Sequence, residues 1–191
     1  MVRAFIAIAL PDSILDELKR QQASFRSARS WPSTASDEIR WTRPEGIHLT
    51  LKFLGEISEE QARKVIDALG TLERFEKFWV EVKGFGFFPD ARRPRVFWAG
   101  LEALPGLAEL TGKVEDAMGN LGFPRETRPF TPHLTLARFK TPRGQPELET
   151  LVGREAHRSL GRFEVSEFFL YESKLGPRGA EYRKVARIPR P

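Results

Sequence analysis

The chain has 191 residues, no cysteine and a net charge of +5, with 40% hydrophobic and 30% charged residues. The missing cysteine excludes disulfides, thiolate nucleophiles and Cys-ligated zinc, and no apolar run reaches the roughly 18 residues of a membrane-spanning helix. Of the 31 basic residues 22 are Arg, a balance that favours polyanions and suits bidentate contact to phosphate.

Val2 to Ala9 reads as a buried strand. Too few apolar residues precede Ala7-Ile8-Ala9 for a signal peptide, and the expected location is cytoplasmic, with no membrane contact. Pro11-Asp12 opens a helix carrying Ile14, Leu15, Leu18 and Phe25. Residues 30–37 read as a loop, Ile39 to Trp41 as a short strand, and Ile47 to Leu54 as a strand stopping at Gly55. Ser58 and Gln61 have the spacing of a capping box for a helix reaching about Leu72. A strand is predicted over Phe75 to Lys83, a loop over Gly84 to Pro94, and a strand over Arg95 to Leu101. Leu107, Leu110, Val114 and Met118 form one stripe of a helix from Leu104 to Leu121. Thr131 to Phe139 is a strand, a loop with Pro142, Gly144 and Pro146 follows, and a short helix covers Leu148 to His157. Strands over Phe163 to Tyr171 and Tyr182 to Ile188 finish the chain. The expected fold is α+β: two similar lobes with antiparallel sheets flanked by helices, related by a pseudo-two-fold around a central active-site cleft. No linker separates the halves, so residues 1–191 are expected to form a single two-lobed domain, a monomer.

His-Leu-Thr-Leu occurs twice, at His48 to Leu51 and at His133 to Leu136, and uses two of the three histidines. Side chains alternate across a strand. His48 and Thr50 therefore share a front face over Leu49 and Leu51, as His133 and Thr135 do over Leu134 and Leu136. Two imidazoles facing each other beside two hydroxyls can break a phosphodiester by acid–base catalysis without a metal.

Other motifs point less sharply. Lys83-Gly84-Phe85-Gly86-Phe87 matches the first five positions of an RNP1 signature, but Phe88 and Asp90 break it. A glycine-bearing loop is the better reading, and a non-catalytic RNA-binding module remains the alternative from another class. Neither histidine motif offers a second His four residues on or a nearby carboxylate, so neither a metal nor a cofactor is expected. His157, among Arg154, Glu155 and Arg158, reads as a solvated helix residue. Arg92-Arg93-Pro94-Arg95 reads either as a solvated loop or as part of an RNA-contacting rim.

These residues resemble the two-histidine (2H) phosphoesterase superfamily, with its paired His-x-Thr/Ser motifs. The LigT-like branch of RNA 2′,3′-cyclic phosphodiesterases, also called 2′-5′ RNA ligases, is the most similar. The likeness runs from Arg3-Ala4-Phe5-Ile6-Ala7-Ile8, through Arg40-Trp41-Thr42-Arg43-Pro44-Glu45-Gly46-Ile47 and Pro129-Phe130-Thr131-Pro132 before the two motifs, to Leu170-Tyr171-Glu172-Ser173. It implies hydrolysis of terminal 2′,3′-cyclic phosphates on RNA, on tRNA fragments or on nucleosides, to a 2′-phosphate. His48 would be the acid toward the 3′ oxygen and His133 the base toward water, with Thr50, Thr135 and Arg138 stabilising phosphate charge. The reverse reaction, joining a cyclic-phosphate end to a 5′-hydroxyl end, would use the same groups. The family's longer motifs, His-x-Thr-x-x-Phe and His-x-Thr-x-x-Arg, imply that Phe53 stacks on the terminal base and Arg138 grips the phosphate. Strict alternation puts Phe53 and Arg138 on the back face, so these roles require a bulge, a twist or a strand end near Lys52 and Ala137. Otherwise Phe53 is a core residue beside Leu49 and Leu51.

Overall fold

Why the chain makes two sheets is visible in its burial. In the computed structural model, which describes residues 1–28, 39–72, 75–103, 105–142, 146–176 and 179–189, each motif strand buries its leucines and turns its histidine outward. The strands are β1 (Val2–Ala9), β2 (Ile39–Trp41), β3 (His48–Ile57), β4 (Phe78–Phe88), β5 (Val96–Ala103), β6 (His133–Phe139), β7 (Ser159–Val165), β8 (Phe168–Gly176) and β9 (Gly179–Ile188). The helices are α1 (Asp12–Ser27), α2 (Glu59–Gly70), α3 (Pro105–Asn120) and α4 (Pro146–Arg154). One sheet has the order β3-β1-β8-β9 and the other β2-β6-β5-β4-β7. Every pairing is antiparallel.

The two sheets share one plan. A motif strand (β3 or β6) pairs with the strand that leads into the preceding long helix (β1 or β5), which pairs in turn with a strand from the other half of the chain (β8 or β4). The lobes are therefore similar, as expected, but they are not the two halves of the sequence. β2 and β4 leave the first half for the second sheet, while β8 and β9 leave the second half for the first.

A continuous apolar core runs behind both sheets and takes in Leu18 and Phe25 of α1, Val65 and Leu69 of α2, and Leu107, Leu110, Val114 and Met118 of α3. The helix ends follow local chemistry. Ser58 Oγ accepts from the Gln61 N–H and Gln61 Oε1 from the Ser58 N–H, at 3.1 and 2.9 Å, which completes the capping box of α2. Gln22, buried on α1, donates to the carbonyls of Thr42 and Leu136 at 2.8 and 2.9 Å and so ties α1 to the second motif strand.

Several expectations need correction. β3 continues through Gly55, and β4 through the Gly84-x-Gly86 stretch expected to be a loop, stopping before Pro89. Gly84 has φ 67° at a register shift, and a Cβ there would collide with the Ala156 carbonyl, so only glycine lets the strand pass. The apolar stretch from Phe163 to Tyr171 is two strands, split at Ser166-Glu167 where the chain changes sheets. His157 lies in an exposed turn after α4 rather than in the helix. The loop expected over 30–37 lies outside the described residues, and so do Gly144 and its neighbours. Among the described residues no helix is long and apolar enough to cross a membrane.

Candidate active site

β3 and β6 come into contact at the seam between the sheets, and their front faces carry the two histidines. Along β3 the buried positions are Leu49, Leu51, Lys52, Leu54 and Ile57, with Phe53 exposed. Two buried residues in succession break the alternation. The register explains it: Ile6 pairs with Lys52 and Ala7 with Thr50, leaving Leu51 as an extra residue. This bulge returns Phe53, 68% exposed, to the face of His48 and Thr50. β6 repeats the device. Phe97 pairs with Ala137 and Trp98 with Thr135, Leu136 is the extra residue, and Arg138 emerges exposed beside His133 and Thr135. Of the three ways to bring these residues forward (a bulge, a twist or a strand end), both copies use a bulge, and Phe53 is not a core residue.

Each imidazole is fixed in the same way. His48 Nδ1–H donates to the Gly46 carbonyl at 2.9 Å, and His133 Nδ1–H to the Thr131 carbonyl at 2.8 Å. With the proton held on Nδ1, the neutral ring offers its Nε2 lone pair to whatever enters from the front. Burial lowers both pKa values, and the carbonyl bonds oppose it only in part. His48 is pushed down to about 4, the nearby charges of Arg138 and His133 adding to desolvation. His133 is lowered as well, by burial first and then by Arg138.

Aromatic rings wall the two histidines. Phe5 stacks on His48 with centroids 4.6 Å apart, and Tyr182 meets the His48 ring edge-on at 5.0 Å. Phe88 meets His133 edge-on at 4.8 Å. Phe5, Ala7, Phe169 and Tyr171 form a small apolar cluster apart from the main core. Phe5 and Ala7 pair with Phe53 and Thr50, which places the cluster on the histidine side of its sheet. Burial pushes the Tyr171 hydroxyl up to about 12, so it stays protonated. On the other sheet Trp98, opposite Thr135, lies across Gly86, where any Cβ would collide with the indole.

With this geometry in view, comparison with known proteins is decisive. The model of the LigT-like phosphoesterase family matches residues 8–98 and 102–182. The chain belongs to this family. A relative in Methanothermobacter thermautotrophicus, named RNA 2′,3′-cyclic phosphodiesterase, is 34% identical over 182 residues, 95% of either chain. A relative of the same name in Thermus thermophilus is 34% identical over 194 residues, 98% of this chain and 89% of the other. Among solved structures, TT0787 of Thermus thermophilus matches with a TM-score of 0.78 at 29% identity, over 97% of this chain and 96% of that one. E. coli LigT complexed with 3′-AMP matches with a TM-score of 0.77 at 25% identity and the same coverage.

Within this LigT-like scaffold the residues of the two motifs lie together on the two strands in contact: His48, Thr50 and Phe53 on one, His133, Thr135 and Arg138 on the other. The RNP1-like segment does not join them. Phe85 and Phe87 are buried in the core, facing Phe25 and Phe97, so they offer no stacking surface. Asp90 Oδ1 accepts from the Arg92 and Arg93 N–H groups and folds the arginine-rich segment into a turn. His157 is remote from both motifs in sequence and lies in its own exposed turn. Among the described residues no three His, Asp or Glu side chains converge as metal ligands. Sequence reading did not find the partners of the histidines: Phe5, Phe88, Tyr182 and the two main-chain carbonyls. One signal existed, since β1 is apolar on both faces, which means that its front is covered too.

Proposed function

We propose that this LigT-like phosphoesterase is an RNA 2′,3′-cyclic phosphodiesterase that needs no metal. The observation that carries the reading is the matched pair of imidazoles, each locked through Nδ1 to a carbonyl two residues upstream, on bulged strands that add a hydroxyl and an exposed Phe or Arg. The names of the relatives point to the same substrate.

In-line hydrolysis of a cyclic phosphate has two proton transfers on opposite sides of phosphorus. Water attacks phosphorus, the new P–O bond forms as the bond to the 3′ oxygen breaks, and a 2′-phosphomonoester remains. His133 Nε2 takes the proton of water, and His48 Nε2–H gives one to the 3′ oxygen. Arg138 and the Thr50 and Thr135 hydroxyls meet the charge on the non-bridging oxygens. In the free protein burial disfavours the charged form of His48. The acid role therefore depends on the substrate: an anionic phosphate beside the ring favours imidazolium and offsets Arg138. Main-chain carbonyls, not carboxylates, accept from the Nδ1–H of both rings and orient them.

The test is product analysis of an oligoribonucleotide ending in a 2′,3′-cyclic phosphate, with excess EDTA present. The expected product is a 2′-phosphate end, formed at an unchanged rate. Loss of activity on chelation, restored by a divalent ion, would overturn the metal-free mechanism. His48→Ala and His133→Ala should each lower the rate by about 10²–10⁴. The double variant should be little slower than the worse single, since the pair acts as a unit.

A further inference from the structure

A groove of about 340 Å³ lies beside the histidines, between β2 with its following turn and the β8–β9 hairpin. It shares Arg138 and Tyr182 with the site already described and adds Arg40, Arg43, Glu45 and Glu181. Its charge is arranged rather than scattered. Arg40 pairs directly with Arg138 across the β2–β6 ladder, and both side chains are exposed. Like charges directly opposite each other in a sheet cost stability. No described carboxylate forms an ion pair with either guanidinium. An anion lying between them would relieve the repulsion and take bidentate bonds from both. The rest of the lining suits more than a bare anion. Glu45 and Glu181 can accept from hydroxyls or amines, and Tyr182 adds a ring. Phosphate, ribose and base together present that chemistry, and the volume falls in the range of small-ligand sites, about 300–1,000 Å³.

We infer that this groove holds the nucleotide immediately upstream of the cyclic-phosphate end, with its internucleotide phosphate between Arg40 and Arg138. The inference rests on the phosphodiesterase reading and deepens it: the preferred substrate is an oligoribonucleotide end, not a free nucleoside cyclic phosphate. Arg138 then serves two phosphates, the reacting one and its neighbour, and Arg40 serves only the neighbour.

The experiment compares kcat/KM on adenosine 2′,3′-cyclic phosphate and on a trinucleotide with the same cyclic end, for wild type and Arg40→Gln. Wild type should favour the trinucleotide by about tenfold or more, mainly through KM, as expected of one charge-assisted phosphate contact. Arg40→Gln should abolish most of that preference while turning over the mononucleotide as wild type does, and its melting temperature should not fall. Added salt should erode the preference in wild type more than in Arg40→Gln. Equal efficiency of wild type on both substrates overturns the inference and leaves the phosphodiesterase reading intact. So does an Arg40→Gln protein that loses both activities equally or neither. If wild type hydrolyses neither substrate, the phosphodiesterase reading fails, and binding decides the groove. A fluorescent trinucleotide 3′-phosphate must then bind more tightly than adenosine 3′-phosphate in wild type but not in Arg40→Gln; equal affinities overturn it.

Discussion

At the scale of single residues, Phe53 and Arg138 occupy the same bulged position in two copies of one motif, yet they call for different tests. Phe53 is 68% exposed and packs loosely against Phe5, at a centroid distance of 6.1 Å. Phe53→Ala should therefore leave the melting temperature almost unchanged, where a core Phe→Ala typically costs about 3–5 kcal/mol. Its effect belongs in KM, with binding weakened by about 1–3 kcal/mol, the usual worth of base–aromatic stacking. A sharp drop in melting temperature with unchanged KM would return Phe53 to a purely structural role. Arg138→Lys keeps the charge and loses the planar fork, so it should depress kcat more than it raises KM. Kinetics equal to wild type would leave Arg138 no role beyond its charge. His48, Thr50, His133 and Thr135 were legible in the sequence because the motif is local and repeated, whereas Phe53 and Arg138 came from the family resemblance alone, since alternation by itself puts them on the back face. The rings that hold the histidines were not legible. Phe5 and Tyr182 reach His48 from positions 43 residues before it and 134 after it, and no local pattern encodes such a contact.

At the scale of elements, the bulges carry the lesson of how far patterning reaches. Periodicity located β1, β2, β6 and α3 and set the inward face of each motif strand, because alternation depends on one strand alone. A bulge depends on the partner: Leu51 is extra only because Ile6 and Ala7 pair with Lys52 and Thr50. The same reason hid the continuation of β4 through Gly84 and the break between β7 and β8, where pairing rather than propensity decides. The β3 bulge also turns Lys52 inward. Its ammonium is buried and donates to both carboxylate oxygens of Glu115 on α3 at 2.8 Å, and to the Pro124 carbonyl at 2.9 Å. That carbonyl lies in the segment leading to the second motif, so Lys52 joins the first motif strand to the approach of the second. Lys52→Met should destabilise the protein by about 2–4 kcal/mol, somewhat less than removal of one partner from a fully buried pair, because Glu115 keeps some solvent. Chemical denaturation checks this. Lys52→Met with Glu115→Leu should recover much of the loss, and a double variant no better than the single would deny the ion pair its part.

At the scale of the molecule, two depressed histidines link the site to global stability. The folded-state pKa of His48 lies near 4 against an ordinary 6.5, and that of His133 is also lowered. Between these values the unfolded chain binds more protons than the folded one, so stability is intact above about pH 6.5 and is lost as pH falls toward 4. His48→Gln should flatten that slope, which melting temperatures between pH 4 and 7 would measure; an unchanged slope would mean that His48 titrates normally in the folded protein. Each sheet also draws strands from both halves of the chain, which has a consequence for assembly. Two copies of a strand–helix–strand half, each lending a strand to its neighbour's sheet, would make a domain-swapped dimer with one histidine per protomer. This polypeptide carries that exchange within itself. A backbone cut in the exposed turn at Arg92-Arg93 should leave two fragments inactive alone and active once mixed, since neither can complete a sheet. The two histidines proposed to act in different roles thus lie on sheets that each draw strands from both halves of the chain, and a truncation that removes either half takes strands from both sheets.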